Sequence, residues 1–273
     1  MKIEVQDLIH TYPSGETALN GISLVIEGTT PVAVAGQNGS GKTTLVKHFN
    51  RILSPTKGRV LIDGVSTTER STAQWAKKIG YVFQNPDDQL FLNSVRKEFE
   101  FGPKRTGIPP EKIEKMLPIV ADLCGLGDKL EIHPFDLTAT EKKFCTIGSV
   151  MMIDPNVVIF DEPTCGQDIE GNNRLISIIR YLRNNGKLCI TISHDMKFIA
   201  KNFERVVVLC KGQVLTDGFC KDVFAKPTIL SQSFVSPPPI CRVALGMGLK
   251  QSVFETEELV GCIVQNMKRR NKK

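Results

Sequence analysis

Short apolar runs alternate with helical segments along the chain, and this alternation predicts an α/β fold. Residues 3–10 alternate between apolar and polar side chains, as in a strand with one buried face. Residues 157–160 are apolar without interruption, which is typical of a parallel strand buried on both faces. Further strands are predicted at 21–26, 31–35, 58–64, 79–83 and 188–192, with a closing hairpin at 205–210 and 213–216.

Helical spacing of apolar residues predicts helices over 44–53, 111–123, 142–152 and 174–182. The second and third of these lie in a mostly helical insert at about 94–153, where Gly125 and Gly127 interrupt the pattern. We therefore expect a mixed core sheet, an antiparallel β part near the N-terminus and a helical subdomain in the middle of the chain.

Composition narrows the class of protein. The 273 residues are enough for one large domain or two smaller ones, and a hydrophobic content of 41% supports a sizeable core. No run of 18 apolar residues is present, and residues 1–4 show no signal-peptide pattern. The eight cysteines are scattered without a C-x-x-C pair, which favours reduced, buried thiols over disulfides or a metal site.

The positive charge is concentrated at one end of the chain. Of the net charge of +6, the last six residues, 268–273, carry five, so the rest of the chain is close to neutral. This distribution argues against a surface that binds nucleic acid. We expect the basic tail to be solvated, and a weak attraction to anionic lipid headgroups is the alternative.

The segment 36–43 carries the clearest chemistry, because it fits the pattern G-x-x-x-x-G-K-[ST] between a predicted strand and a predicted helix. Glycines let successive backbone N–H groups point at phosphate oxygens, and the helix start adds partial positive charge. Lys42 is expected to reach the β- and γ-phosphates, and the Thr43 hydroxyl to ligate Mg²⁺. The predicted nucleotide contacts in this loop are Gly36, Asn38, Gly39, Ser40, Gly41, Lys42, Thr43 and Thr44.

Acidic residues follow the apolar strand 157–160. Asp161 and Glu162 stand where α/β sheets bind ligands, at the carboxyl end of a predicted parallel strand. Asp161 is predicted to hold Mg²⁺, and Glu162 to polarise a water for attack on the γ-phosphate. A solvated turn is the alternative, which the phosphate loop in the same chain disfavours.

Three further side chains are candidates by position. Gln84 ends a predicted strand and could touch Mg²⁺ or the attacking water, although a loop glutamine facing solvent is the simpler reading. His194 ends another strand and could bond a γ-phosphate oxygen, or merely precede a helix. Tyr12 could stack on an adenine ring, or pack as an ordinary strand residue.

These residues, in this order, resemble the nucleotide-binding domain of an ABC transporter over residues 1 to about 225. The resemblance implies a P-loop NTPase fold of the ABC-ATPase type that hydrolyses Mg-ATP and powers transport from the cytoplasmic face of the membrane. The implied motifs are Walker A at 36–43, Walker B at 157–162, the A-loop at Tyr12, the Q-loop at Gln84, the D-loop at Asp168 and the H-loop at His194.

A closer resemblance concerns residues 83–91 and the end of the chain. Residues 83–91 resemble the extended Q-loop of energy-coupling-factor (ECF) ATPases, which serve cobalt, nickel and vitamin importers. Residues beyond 227, with the prolines 237–239 and the segment 256–259, resemble their short C-terminal helical domain, which helps hold two ATPases together. The resemblance divides the chain into an ATP-binding domain, 1–227, and a helical dimerisation appendix, 228–273.

The resemblance also implies partners. They are a second ABC ATPase subunit, a transmembrane coupling protein and a substrate-binding membrane subunit, with this chain peripheral to the membrane. Asp87 and Asp88 are candidates for receiving a basic coupling helix, and a solvated loop is the alternative. Two other functions stay open: a soluble ABC-type ATPase of DNA repair or chromosome maintenance, and a non-catalytic nucleotide-binding regulator. Only 119 residues separate Lys42 from Asp161 and no heptads run between them, which disfavours the former.

One departure from the family pattern stands at residues 137–141. Where the family carries the signature L-S-G-G-Q, this chain reads Leu-Thr-Ala-Thr-Glu. Thr138 keeps a hydroxyl, Ala139 and Thr140 restrict close backbone approach, and Glu141 is expected to add a negative charge near the phosphates. We therefore predict an asymmetric heterodimer in which a partner supplies an intact signature. The alternative is that the altered signature still closes and both sites turn over.

Overall fold

Two sheets form the framework of the computed structural model, which describes residues 1–249 and 251–270. The strands are β1 (Lys2–Thr11), β2 (Thr17–Glu27), β3 (Val32–Ala35), β4 (Lys57–Ile62), β5 (Val65–Ser66), β6 (Ile79–Val82), β7 (Val157–Asp161), β8 (Leu188–Ile192), β9 (Arg205–Cys210) and β10 (Gln213–Phe219). A four-stranded antiparallel sheet has the order β2-β1-β4-β5, and a six-stranded mixed sheet has the order β10-β9-β3-β8-β7-β6. The predicted α/β fold, with an antiparallel part and a mixed core sheet, is confirmed.

The mixed sheet brings its strand ends together at one edge. In this sheet, strands β6, β7, β8, β3 and β9 run parallel to one another, and β10 at the edge pairs antiparallel with β9. Every residue of β3, β6, β7 and β8 is buried, as expected of strands covered on both faces. Because carboxyl ends of parallel strands meet at the same edge, the residues that follow β3, β6, β7 and β8 converge there.

Alternate residues of β7 supply two separate cores. Val157 and Ile159 pack into the core between the two sheets, whereas Val158 and Phe160 pack into the core under the helices. This division follows from the two-residue repeat of a strand, which sends neighbouring side chains to opposite faces. The sheet edge that carries the strand ends is therefore fixed from both sides.

Helices cover the mixed sheet and form most of the middle and the end of the chain. They are α1 (Lys42–Lys47), α2 (Thr72–Ala76), α3 (Val95–Thr106), α4 (Pro110–Cys124), α5 (Ala139–Met151), α6 (Ile169–Asn184), α7 (Met196–Asn202), α8 (Cys220–Phe224), α9 (Pro227–Leu230), α10 (Pro239–Gly246) and α11 (Thr256–Arg270). Within the described residues no helix is long and apolar enough to cross a membrane. The side chains of the predicted basic tail, 268–273, lie outside the described part of the structure.

Two helices differ from their predicted extent by more than three residues at one end. The helix predicted over 44–53 is wrong at its C-terminal end, since α1 stops at Lys47. The Asn50 side chain accepts from the Ile52 N–H at 3.3 Å, and Arg51 has a left-handed φ of 60°, so both compete with helical pairing. The helix predicted over 174–182 begins earlier, at Ile169, because the Asp168 carboxylate caps it by accepting from the Gly171 N–H at 2.7 Å.

Candidate functional site

The loop after β3 has the backbone shape of a phosphate cradle. Gly36 has a φ of 144°, and a Cβ there would collide with the Leu209 carbonyl oxygen. Gly41 has a φ of 98°, and its Cβ would come within 2.7 Å of the Ala18 carbonyl oxygen. Only glycine satisfies both positions, so the loop can curl tightly between β3 and α1.

Polar groups of the same loop are suited to a bound polyanion. The Lys42 ammonium is buried and donates to the carbonyl oxygens of Gly36 and Gln37, each at 2.9 Å. Burial lowers the pKa of Lys42, while Glu162 and Asp161 raise it. The buried Ser40 hydroxyl has no hydrogen-bond partner among the described residues. Helix α1 starts without a side-chain cap, so its first N–H groups face the loop unpaired by side chains.

The end of β7 provides oxygen ligands next to the loop. The Asp161 carboxylate is buried and accepts from the Thr43 hydroxyl at 3.2 Å and from the Tyr81 hydroxyl at 2.6 Å. Burial and the neighbouring Asp161 raise the pKa of Tyr81, which keeps that hydroxyl a donor. A hydroxyl and a carboxylate at this distance are the oxygen donors that Mg²⁺ prefers, so the residues present fit the implied ion.

Glu162 and His194 form a pair at the neighbouring strand ends. The Glu162 carboxylate lies 2.8 Å from His194 Nδ1 and accepts from the His194 backbone N–H at 3.3 Å. Glu162 is buried and holds a left-handed φ of 50°, which a residue with a side chain adopts only under constraint. Its backbone N–H donates to the Ile192 carbonyl, and this bond helps to hold the strained residue in place.

These groups share a cavity of about 850 Å³. The predicted site residues that line it are Gly36, Asn38, Gly39, Gly41, Lys42, Thr43, Thr44, Gln84, Glu162 and His194. Ser40 and Asp161 are buried and are not among the described lining residues. Tyr12 is not among the described lining residues; its hydroxyl is 2.9 Å from that of Thr44 and its ring packs edge-on against His10. Adenine stacking by Tyr12 stays a prediction.

The C-terminal part of the chain reaches the same cavity, which sequence reasoning missed. Residues 234–239 form part of the lining, beside residues 194–197, which end the loop after β8 and begin α7. Phe234 is 79% exposed and has a left-handed φ of 54°. No local pattern could have revealed this contact, because about 40 residues separate the two lining segments and only the fold brings them together.

A buried histidine pair behind α1 was also missed. His48 Nδ1 donates to the Thr44 carbonyl at 2.7 Å, and His48 Nε2 lies 3.1 Å from His10 Nδ1. Because His10 Nδ1 also faces the Ser54 carbonyl at 3.2 Å, it carries the shared proton and His48 Nε2 accepts. Burial lowers the pKa of His48 to about 4. His48 therefore supports the phosphate loop in its neutral form.

A third missed residue is Lys143 in α5. Its side chain is buried and its ammonium donates to the backbone carbonyl of Gln84. Burial lowers the pKa of Lys143, whereas the nearby Cys165, Asp161 and Glu162 raise it. Within a helical pattern this lysine looks like any surface cation, so only the packing shows its position.

The unusual segment 137–141 forms the start of α5. Thr138 caps the helix: its hydroxyl accepts from the Glu141 N–H at 3.3 Å and donates to the Glu141 carboxylate at 2.9 Å. The Glu141 carboxylate is also ion-paired with Lys129. Lys129 therefore offsets the negative charge that Glu141 is expected to add, which corrects that part of the prediction.

Fold and site together define the class of P-loop nucleotide-binding proteins. A family model described as ABC transporter matches residues 19–165, more than half of the chain. A Clostridium perfringens relative named energy-coupling factor transporter ATP-binding protein EcfA2 is 32% identical over 285 residues, covering 99% of this chain and 100% of the relative. A Pyrococcus furiosus relative named as an ABC transporter ATP-binding protein is 38% identical over 259 residues, covering 94% and 98%.

The solved structure of cbiO1 from Clostridium perfringens, described as part of the ABC transporter complex cbiONQ, superposes with a TM-score of 0.75 at 30% identity, covering 90% of this chain and 98% of that one. The chain therefore belongs to the ABC transporter ATP-binding proteins, in the branch that contains the energy-coupling factor ATPases, and the resemblance is confirmed. It spans only 42% and 40% of the length of two 36% identical relatives from Methanosarcina mazei and Methanosarcina acetivorans.

Proposed function

We propose that this chain is the ATP-hydrolysing subunit of an ECF-type importer, which powers micronutrient uptake through a membrane partner. The observation that carries the proposal is the shared cavity, in which the phosphate loop, the Thr43–Asp161 pair and the Glu162–His194 pair meet. A triphosphate in the cradle would draw Lys42 from the Gly36 carbonyl toward phosphate oxygens. The vitamin or transition-metal ion transported is chosen by the membrane components.

The proposed mechanism assigns one task to each side chain. Mg²⁺, held by Thr43, Gln84 and Asp161, would neutralise phosphate charge and orient the γ-phosphate. Glu162 would accept a hydrogen bond from the attacking water and orient it in line. His194 is already hydrogen-bonded to Glu162, so it can hold that carboxylate in place. The same ring can turn toward a γ-phosphate oxygen when nucleotide is bound.

Substitution of Lys42 tests the nucleotide site. Lys42→Ala should weaken Mg-ATP binding by at least about tenfold, because the buried ammonium is the nearest cation to the cradle. Lys47→Ala is the matched control: Lys47 ends the same helix outside the cavity lining and should leave binding within about twofold. Failure of the purified chain, alone and with its co-purifying ATPase, to bind millimolar Mg-ATP would refute the proposal.

The second ATPase subunit is proposed to be a different chain. At the start of α5, the Thr138 hydroxyl donates a hydrogen bond to the Glu141 carboxylate, and Ala139 is exposed. The hydroxyl that would face a partner's nucleotide is therefore already hydrogen-bonded within this chain, and no glycine stands beside it. We expect the site built on this chain's own phosphate loop to use the partner's intact signature. The partner's nucleotide would face residues 137–141 and hydrolyse slowly.

Glu162→Gln tests the asymmetry. In the assembled complex it should lower ATP turnover by at least about a hundredfold, since it removes the carboxylate that orients water. The equivalent glutamine in the partner ATPase should reduce turnover only severalfold. The proposed asymmetry would be contradicted if the partner's glutamine abolished ATP turnover of the complex while the Glu162→Gln complex still turned over ATP.

A surface of the helical region is proposed to receive the transmembrane coupling protein. Phe91 and Phe101 pack edge-to-face with centroids 5.0 Å apart although 62% and 39% exposed, and the Arg105 guanidinium lies over Phe101. Exposed aromatic pairs of this kind mark interaction sites. Asp87 is ion-paired with Lys142 at 3.2 Å, and the acids at 87 and 88 are proposed to receive a basic coupling helix. The chain would then act peripherally, at the cytoplasmic face of the membrane.

Phe91→Ser tests this docking surface. It should reduce co-purification with the membrane protein while nucleotide binding stays unchanged, because the side chain is not in the cavity.

Residues 228–273 are proposed as a separate dimerisation appendix. Because residues 234–239 also line the cavity, its removal should weaken both the pairing of the two ATPases and the binding of Mg-ATP at the loop 36–43.

A further inference from the structure

Helix α5 holds the loop that follows β6 by several side chains. Lys143 donates to the Gln84 carbonyl, and the Gln89 amide lies 3.5 Å from the Thr146 carbonyl and from the Ser149 hydroxyl. The oxygen of that amide accepts from the Phe83 N–H at 3.2 Å. The loop is thereby fixed to α5 at its start and at its end.

Lys143 is an unusual member of this set, because it is a cation 4% exposed with no carboxylate within ion-pair distance among the described residues. Burial of an ammonium group is costly unless other groups compensate. Here the compensation comes from the Gln84 carbonyl and from the negative field of Asp161 and Glu162. A helix needed only for packing would accommodate an apolar side chain at this position at lower cost.

We propose that Lys143 is a positioning residue that fixes the backbone of Gln84 beside the ATP site and links it to the segment 138–141 at the start of the same helix. The inference rests on the proposed ATPase function. Because α5 carries both Lys143 and the segment presented to the partner, displacement of Gln84 at one site moves the surface offered to the other. Lys143 thus couples the two nucleotide sites through its hydrogen bond to the Gln84 carbonyl.

Lys143→Met provides the test, since methionine retains the length of the side chain and removes its charge and donor. We expect thermal stability close to that of the parent protein, because removal of the buried charge offsets the loss of the donor to the Gln84 carbonyl. In the isolated chain, hydrogen–deuterium exchange at residues 83–92 should accelerate at least about tenfold, since the anchor of Gln84 is lost. In the complex, kcat for ATP should fall at least about tenfold with KM nearly unchanged.

Two further variants sharpen the result. Lys143→Gln keeps a neutral donor for the carbonyl and should recover part of the lost kcat. Lys115→Met, at an exposed lysine of α4, controls for the loss of one positive charge and should match the parent protein. Unchanged exchange at 83–92 in Lys143→Met, or a kcat loss accompanied by an equal loss of stability, would overturn the assignment.

Failure of this inference is distinguishable from failure of the proposed function. If the parent complex hydrolyses ATP and Glu162→Gln abolishes it, the function stands whatever Lys143→Met does. If the parent complex does not hydrolyse ATP, the exchange measurement on the isolated chain still decides whether Lys143 holds the Gln84 loop. If amide exchange in the loop is slow in the parent protein and equally slow in Lys143→Met, the positioning role is refuted. The proposed ATPase function is not affected by that result.

Discussion

The buried histidine behind the phosphate loop makes folding stability depend on pH. His48 is completely buried, and its pKa falls from 6.5 to about 4 in the folded protein. Between these two values the unfolded chain binds a proton that the folded chain excludes. Stability is therefore fully present above about pH 6.5 and is lost as the pH falls toward 4. Integration of this difference gives a loss of about 2 kcal/mol between pH 7 and pH 5, and about 3 kcal/mol in full.

His48→Leu removes the titration and keeps the volume. The variant itself should cost about 1–3 kcal/mol at pH 7, because the Thr44 carbonyl loses its donor and His10 loses one acceptor. This cost is nearly independent of pH. The free energy of unfolding of the variant should therefore fall by about 2 kcal/mol less than that of the parent protein between pH 7 and pH 5.

Urea unfolding followed by circular dichroism at pH 8, 7 and 5 measures the effect. Titratable groups distant from His48 contribute equally to both proteins and cancel in the comparison. Between pH 8 and pH 7 the two proteins should change in parallel, which serves as the internal control. An equal loss in both proteins between pH 7 and pH 5 would show that His48 does not carry the dependence and refute the reasoning.

Three further substitutions have expected outcomes. Gly36→Ala should destabilise folding by about 2–4 kcal/mol in denaturant titrations, since its Cβ collides with the Leu209 carbonyl at a left-handed φ; a loss under about 1 kcal/mol contradicts this. Tyr81→Phe should cost about 1–2 kcal/mol and raise the Mg²⁺ concentration needed for ATP binding, because Asp161 loses a donor; an unchanged Mg²⁺ requirement contradicts it. Glu98→Gln should accelerate amide exchange at positions 91 and 92, whose N–H groups its buried carboxylate accepts at 2.6 Å, and equal exchange rates would count against it.

The strands and the phosphate loop could be predicted from sequence because their signals are local. The run 157–160 is apolar throughout, and β7 occupies it with one added residue. The pattern of the loop 36–43 encodes its own backbone shape through glycines at φ 144° and 98°. Asp161 and Glu162 follow from the same logic, since residues at parallel strand ends converge.

The groups that support the site could not be predicted in this way. Tyr81 looks like any strand aromatic until the register of β6 against β7 places it beside Asp161. Lys143 and His48 fit the periodicity of their helices, and their partners lie 59 and 38 residues away in the chain. Such contacts depend on tertiary packing, about which local propensity carries no information.

The wall that residues 234–239 contribute to the ATP cavity has a consequence for chemical probes. This wall lies outside residues 19–165, the part shared with the family model, and two of its three prolines are buried. An adenine-nucleotide mimic enlarged with a flat apolar group would gain contact area against the exposed Phe234 and Pro239, at the cost of ordering the Phe234 side chain. Selectivity among ATP-binding domains that share the phosphate loop would then come from residues 234–239.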